Sequence, residues 1–211
     1  MPTLLDLIAR IGDDLDRIDL NNQITAAITD AIKHYESHRF IFNEAYNISG
    51  TLSSSVGSIA LTSLAFYPAK IDRIRVKYSG AQNYTELLPR DVDWLMDGQD
   101  IKAVCHPLEY CVYAEALQLD SRPDQNYTYI MDGVRRLSTG STASFTVSSS
   151  LSWFNEGRLL IRARAKVDLY THVIRDFEQA QAMAAIEQRE YRTLKQALNT
   201  RNSGRVRPTE F

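Results

Sequence analysis

The sequence predicts an α+β fold in which a helical domain, built from both ends of the chain, carries an inserted small antiparallel β domain. Three patterns predict it: apolar residues at helical spacing near both termini, period-two alternation between them, and a Ser/Thr-rich stretch where the alternation ends. We therefore expect helical segments at 1–44 and 153–200, a β insertion at 45–137, a flexible segment or hairpin at 138–152, and a C-terminal extension at 201–211.

The composition of the 211 residues is typical of a folded globular protein. Hydrophobic residues make up 44% of the chain and charged residues 24%, and the net charge is −2. That charge argues against a protein that wraps nucleic acid through bulk positive charge. Two cysteines are too few for a disulfide scaffold. The acidic residues in 1–20 do not fit a signal peptide, and the uncharged stretch 45–69 is too polar for a membrane span, so we expect a reducing compartment and no membrane.

Two amphipathic helices are predicted before the β insertion. Thr3 can cap the first, while Asn21 or Asn22 can cap the second, which should run to about Arg39. The acidic run at 13–19 between them is expected to be solvated. Their apolar faces contain Leu4, Leu7, Ile8 and Ile11 in the first helix, and Ile24, Ala27, Ile28, Ala31, Ile32 and Tyr35 in the second.

The β insertion contains one clear strand at 71–78. Ile74 and Val76 should face one side of it, and Arg73 and Arg75 the other. Several short strands with turn residues between them predict a small antiparallel sandwich or barrel. The remaining strands are expected at 56–61, 83–88, 110–119 and 127–131, with a helical turn at 91–96.

The helical period returns from about Asn155. A break near Arg175 separates two helices, and Asp176 can cap the second. Met183 and Ile186 lie off the main apolar stripe and predict a second contact surface. The first stripe contains Leu159, Ala163, Val167, Tyr170 and Ile174, and the second contains Phe177, Ala180, Ala184, Tyr191, Leu194 and Leu198, with Glu187 as its one polar interruption.

The first of these helices carries a basic cluster made of Arg162, Arg164 and Lys166. Because alternating positions spread around a helix, they do not form one stripe for a nucleic acid. We expect a solvated face or ion pairs between subunits.

The metal-binding candidates have the wrong spacing. His34 and His38 are four residues apart and share one helix face, but no Glu directly follows the first His as in the zinc-protease pattern. Cys105, His106 and Cys111 lack a second ligand pair, and Cys111 fits a small core residue in a strand. We therefore predict no metal and no cofactor.

Catalytic candidates are few. Glu109 and Glu115, an even number of residues apart, could share a strand face as an acid/base pair. Asp91 and Asp93, near Asp97 and Asp100, lie in a turn-rich segment, where Asp favours local backbone bonding. The sequence contains no phosphate loop, dinucleotide turn or nucleophile elbow, so we predict that the protein is not an enzyme.

A ligand-binding module is a further alternative. Tyr127 and Tyr129 share one face of a predicted strand and could form an aromatic platform. The competing interpretation is that these rings pack into the sheet and cover the core.

Aromatic, proline and turn motifs follow one another in a specific order between Leu4 and Leu198. They are Arg39-Phe40-Ile41-Phe42-Asn43-Glu44, a strand pair around 57–61 and 68–78, Leu87-Leu88-Pro89, the turn at 91–96, His106-Pro107-Leu108-Glu109-Tyr110, Leu117-Gln118-Leu119, Pro123-Asp124 and Asp176-Phe177-Glu178-Gln179-Ala180. This order resembles the head-to-tail adaptor (connector) proteins of tailed bacteriophages.

The resemblance implies a structural virion protein at the head–tail junction, made in the host bacterial cytoplasm. Such adaptors form a ring, usually of twelve subunits, that contacts the portal protein and a tail nozzle or tail tube protein. Genomic dsDNA passes through the ring without specific binding. Another tail-completion or tail-tube protein is the alternative, followed by a small β-rich hydrolase.

Within this scheme we assign two sets of interface residues. The tail at 201–211 has no evident core to join and ends in an apolar ring, so we assign it to the portal. Subunit or tail contacts are assigned to apolar residues outside the predicted core. The portal set is Arg201, Arg205, Arg207 and Phe211, and the subunit or tail set is Phe145, Val147, Met183 and Ile186.

Overall fold

The computed structural model describes residues 3–17, 19–93, 103–137 and 152–203, with the side chains of 198–203 left out. The chain divides into two compact units. The helical unit contains Met1–Asn43 and Leu137–Phe211, and the β unit contains Glu44–Arg136. The predicted α+β class is confirmed, because helices and mostly antiparallel strands are both present. None of the helices in the described ranges is long and apolar enough to cross a membrane.

The described part of the helical unit contains five α-helices. A 3-10 turn, Ile41–Asn43, follows the second helix, and a π-helical turn, Leu169–Ile174, follows the fourth. The helices are α1 (Leu4–Leu15), α2 (Asn21–Glu36), α3 (Ser152–Asn155), α4 (Arg158–Asp168) and α5 (Phe177–Ser203).

The N-termini of the first two helices differ in how they are capped. Thr3 caps α1 as predicted: its hydroxyl accepts the Asp6 N–H at 3.2 Å, and the Asp6 carboxylate accepts the Thr3 N–H at 2.7 Å. The predicted caps of α2 are wrong. The N-cap residue is Leu20, and no side-chain hydrogen bond caps this helix. Asn21 and Asn22 lie inside the first turn instead.

Helix α2 also ends three residues before the predicted Arg39. The Asn43 side chain accounts for this early end. Its Oδ1 accepts the Phe40 N–H at 2.7 Å, and its Nδ2 donates to the His38 carbonyl at 2.8 Å. These bonds satisfy backbone groups that a continued helix would otherwise pair.

The core of the helical unit is built around aromatic rings. Phe40 and Phe42 lie 5.4 Å apart between ring centroids, and Phe42 contacts Trp153 at 4.8 Å. The apolar face predicted for α4 is wrong in part: Ala163 is buried as expected, but Leu159 is 49% exposed whereas Leu160 is buried. Helix α4 packs against α2 and α5, so its buried surface is broader than one stripe and is rotated from the predicted one.

In its described residues, 44–93 and 103–136, the β unit contains eight strands in two sheets. The strand orders are β1-β8-β3-β4 and β2-β7-β6-β5, and every pair is antiparallel except β5 with β6. The two sheets enclose a core that includes Leu52, Ile74, Val76 and Met131. The strands are β1 (Glu44–Leu52), β2 (Ser58–Ala60), β3 (Pro68–Lys77), β4 (Thr85–Glu86), β5 (Leu88–Pro89), β6 (Glu109–Tyr113), β7 (Ala116–Leu119) and β8 (Tyr127–Arg135).

Two predicted strands are divided in the structure. The strand expected at 110–119 is a hairpin, because Ala114 and Glu115 form a two-residue turn with φ of 50° and 58°. The strand expected at 83–88 becomes the short β4 and β5, which belong to different sheets. Most of the helical turn expected at 91–96 lies outside the described residues.

Candidate subunit interface

An apolar groove opens between α4 and α5. Leu159 and Ala163 of α4 line one side, and Met183 and Ile186 of α5 line the other. The groove has a volume of about 260 Å³. The structure thus brings together Met183 and Ile186, which were assigned to an interface, and Leu159, which was assigned to the core. We call this surface the α4–α5 groove.

Basic side chains border the groove and pair within the chain. Arg162 donates from Nε to the Asp14 carboxylate at 2.8 Å, and Lys166 Nζ lies 2.5 Å from the same group. Burial alone would raise the pKa of Asp14, but these two cations hold it below its ordinary value. Asp14 is therefore an ion-pair partner, and the expectation of a wholly solvated acidic run is wrong.

Arg164 pairs with a different carboxylate. Its Nη1 lies 3.4 Å from the Glu187 carboxylate of α5. Arg162, Arg164 and Lys166 therefore each find a carboxylate in their own chain. The expectation that they form a solvated face or inter-subunit ion pairs is wrong, because α1 and α5 place acidic groups beside them.

The start of α5 is exposed. The predicted break and cap are confirmed: Arg175 has a left-handed φ of 61°, and Asp176 Oδ1 accepts the Gln179 N–H at 3.1 Å. Phe177, expected in the core, is 69% exposed, whereas Ala180 is buried. Phe177 occupies the first position of α5 beside the π-helical turn, where the packing of the helix leaves its ring uncovered.

The middle of α5 packs on α2. Tyr191 stacks on Tyr35 with 5.8 Å between ring centroids, and Lys195 Nζ donates to the Arg39 carbonyl at 2.9 Å. Helix α5 then continues for eight residues to Ser203. Arg201 lies in this last helical stretch, although its side chain is not described. Arg205, Arg207, Phe211, Phe145 and Val147 lie outside the described residues.

The histidine pair of α2 does not gather further ligands. The rings of His34 and His38 stack 6.0 Å apart. Burial, followed by the nearby charges of Lys195 and His34, lowers the pKa of His38. In the described part of the chain no three His, Cys, Asp or Glu residues cluster as a metal site would need.

Cys105, His106 and Cys111 have different surroundings in the structure. Cys111 is buried in β6, as predicted, while Cys105 is exposed. The His106 ring packs on Tyr78 at 5.1 Å. The absence of a metal site thus stays a prediction for the protein as a whole.

The acid/base candidates do not form a pair. Glu115 occupies the β6–β7 turn instead of sharing a strand face with Glu109, so that expectation is wrong. Glu109 pairs with Arg90 at 2.5 Å. Asp91 and Asp93 are exposed, and Asp97 and Asp100 lie outside the described residues.

The expectation of an aromatic platform is also wrong. Tyr127 and Tyr129 are buried in the β unit at 3% and 2% exposure. The Tyr129 hydroxyl accepts the Ala65 N–H at 2.8 Å, so its polar end is satisfied inside the fold. Both rings support the core and are not available to a ligand.

Sequence reasoning missed a charged cluster in the β unit. The Asp132 carboxylate accepts the Asn47 N–H at 2.6 Å, Arg73 Nε at 2.5 Å and Arg75 Nη2 at 2.9 Å. Asn47 adopts a left-handed φ of 54° at the bulge in β1. The two arginines on one strand face were visible in the sequence, but their partner was not, because it depends on strand register.

Comparison with known proteins identifies the family of this chain. A family model described as SU10 adaptor protein matches residues 2–209, and so includes both units. A search of curated proteins gave no match. Since the matched region is nearly the whole chain, the protein belongs to the SU10 adaptor protein family, in agreement with its resemblance to phage head-to-tail adaptors.

Proposed function

We propose that this protein is a head-to-tail adaptor that forms a ring of twelve subunits in the virion, between the portal protein and a tail nozzle or tail tube protein. Genomic dsDNA passes through the centre of this ring. The family match over residues 2–209 is the observation that carries the proposal, because it covers nearly all of both units.

The α4–α5 groove supports self-association. Leu159 is 49% exposed, and Met183 and Ile186 are only partly covered, so the helical unit keeps an apolar surface outside its core. Apolar surface of this kind, bordered by charged residues, is typical of protein–protein contacts. We therefore keep Met183 and Ile186 as subunit or tail contacts.

The direction of α5 supports a role for the C-terminal tail. Lys195 of α5 donates to the Arg39 carbonyl, and eight further helical residues span about 12 Å beyond Lys195. That extension carries Arg201 away from the anchored part of the helix. We propose that Arg201, Arg205, Arg207 and Phe211 dock on the portal.

Phe145 and Val147 are proposed to contact a neighbouring subunit or the tail. Two residues apart, they would share one face if 138–150 pairs as a strand. Ordering so many Ser and Thr residues costs conformational entropy that a partner must offset. Limited proteolysis should cut this stretch in the free subunit and spare it in the assembly; equal resistance in both would contradict the proposal.

The charge of the chain is consistent with DNA passing through the ring without being held. The net charge is −2, and α1 and the linker after it are acidic. Tight phosphate binding needs clustered Lys and Arg, whereas Arg162 and Lys166 are already paired with Asp14. We therefore expect no sequence-specific complex with dsDNA.

Electron microscopy of the purified protein, with and without a portal from the same source, tests the proposal. Twelve copies of the 24.0 kDa chain give about 288 kDa (twelve times 24.0). A ring alone or on the portal is the expected result. A protein that remains monomeric at high concentration, and also when the portal is present, would contradict it.

A further inference from the structure

We infer that neighbouring copies of this chain associate head to tail, with Phe177 of one copy seated in the α4–α5 groove of the next. This inference rests on the proposed function and names the residues through which the ring would close. It also explains how Phe177, which lies outside the core of its own chain, would be buried.

The two surfaces lie on opposite sides of one helix. Phe177 and Ile186 are nine residues apart in α5, which is about two and a half turns, so their side chains point in opposite directions. They are separated by about 13 Å along the helix axis. A protruding ring on one side and a groove on the other suit a heterologous contact, which repeats from copy to copy and can close into a ring.

The two surfaces also match in apolar character. The Phe177 ring is 69% exposed, and the groove of about 260 Å³ is lined by Leu159, Ala163, Met183 and Ile186. Removing an exposed aromatic ring from water is favourable, and an apolar groove is the environment that it would enter. The rigid ring is held at a helix N-terminus that the Asp176 cap keeps in place.

Their charges are complementary. Asp176 and Glu178 flank Phe177 directly and, with Arg175, give this end of α5 a net charge of −1. The groove rim has a net charge of +1, since three cations there face two carboxylates. Opposite charges around an apolar contact steer association and set its register. The rim residues are Arg162, Lys166, Arg189, Asp14 and Glu190.

Cysteine cross-linking under mild oxidation tests the contact. The exposed Cys105 is first replaced by Ser, while the buried Cys111 stays. In that background, F177C mixed with I186C should give a cross-linked dimer, while each alone should stay uncross-linked. The double variant F177C/I186C should give a ladder of higher multimers, because every copy then has both halves of the contact.

Ala185 provides the matched control. It is exposed on α5 and lies one residue from Ile186, which turns it about 100° away from the groove. F177C mixed with A185C should therefore not cross-link. Because Phe177 is exposed, thermal unfolding of F177C should match that of the parent, which separates a contact effect from misfolding.

The possible outcomes separate this inference from the proposed function. If rings form on the portal but F177C and I186C do not cross-link, the interface is wrong and the adaptor function stands. Self-cross-linking of I186C alone, or equal cross-linking through A185C, would overturn the head-to-tail contact. If no assembly forms with or without the portal, both the contact and the proposed function fail.

Discussion

The Tyr35 hydroxyl donates a hydrogen bond to the Glu187 carboxylate, which lies 152 residues later in the chain. Glu187 is only 7% exposed and also faces Arg164. Burial, together with this bond, raises the pKa of Tyr35, so the phenol remains a proton donor. The bond ties α2 to α5 and accounts for the one polar interruption in the apolar stripe of α5.

Replacing Tyr35 by Phe should lower the free energy of unfolding by about 1–3 kcal/mol, because the buried carboxylate loses its donor. Urea denaturation measures this change. A double-mutant cycle with E187L provides the control. If the bond matters as a pair, Y35F/E187L should lose less stability than the sum of the two single variants. Additive losses would show that the two side chains act independently.

Asp132 should make the β unit sensitive to acid. Burial on its own would raise the pKa of this carboxyl, but the Asn47 N–H, Arg73 and Arg75 hold it below its ordinary value of 3.8. The unfolded chain therefore takes up a proton at higher pH than the folded chain does. The stabilisation is complete above pH 3.8 and is lost as the pH falls through and below that value.

D132N should accordingly lower the free energy of unfolding at pH 7 by about 1–3 kcal/mol. The difference from the parent should shrink as the pH is lowered below 3.8, because the parent carboxyl is then protonated. D93N, at an exposed carboxylate, is the control and should change stability by less than about 0.5 kcal/mol. A difference between D132N and the parent that does not change with pH would contradict the ion-pair interpretation.

Gly133 should tolerate no side chain. A Cβ at this position would lie 2.2 Å from the Lys70 carbonyl oxygen of β3, a backbone atom that cannot move without disrupting the sheet. G133A should therefore cost on the order of 3 kcal/mol or more in thermal or urea unfolding. Gly80 is the matched control: its φ is +77°, but a Cβ would meet nothing within 4 Å. G80A should cost only about 1–2 kcal/mol, from backbone strain, and equal losses would contradict the steric argument.

Deleting residues 204–211 should weaken binding to the portal and leave the fold intact. The described helical unit is built without these residues, so the melting temperature should not change. Burial of Phe211 in a portal pocket would contribute roughly 1.5–3 kcal/mol per subunit, and a ring would multiply the effect through avidity. Sedimentation of mixtures with the portal measures binding. If the truncated protein binds as well as the full chain, the docking surface lies elsewhere.

Elements with strong local signals were predictable from the sequence. The Thr3 cap of α1, the break at Arg175 with its Asp176 cap, and the alternation of Ile74 and Val76 in β3 are all present in the structure. Each depends on interactions within a few residues or on a period that one strand or helix imposes by itself. The order of motifs was enough to indicate the family that the match over 2–209 then showed.

Features that depend on a distant partner were decided only by the tertiary structure. The spacing of Leu159 and Phe177 predicted that both belong to the core, yet both are exposed. The elements packed against α4 and α5 set the rotation of α4 and the position of the start of α5. Strand register places Asp132 beside its arginines, and helix packing places Glu187 beside Tyr35. A periodic pattern indicates which side of a helix or strand is apolar. The packing of the whole chain decides which neighbour covers that side and how much of it is buried.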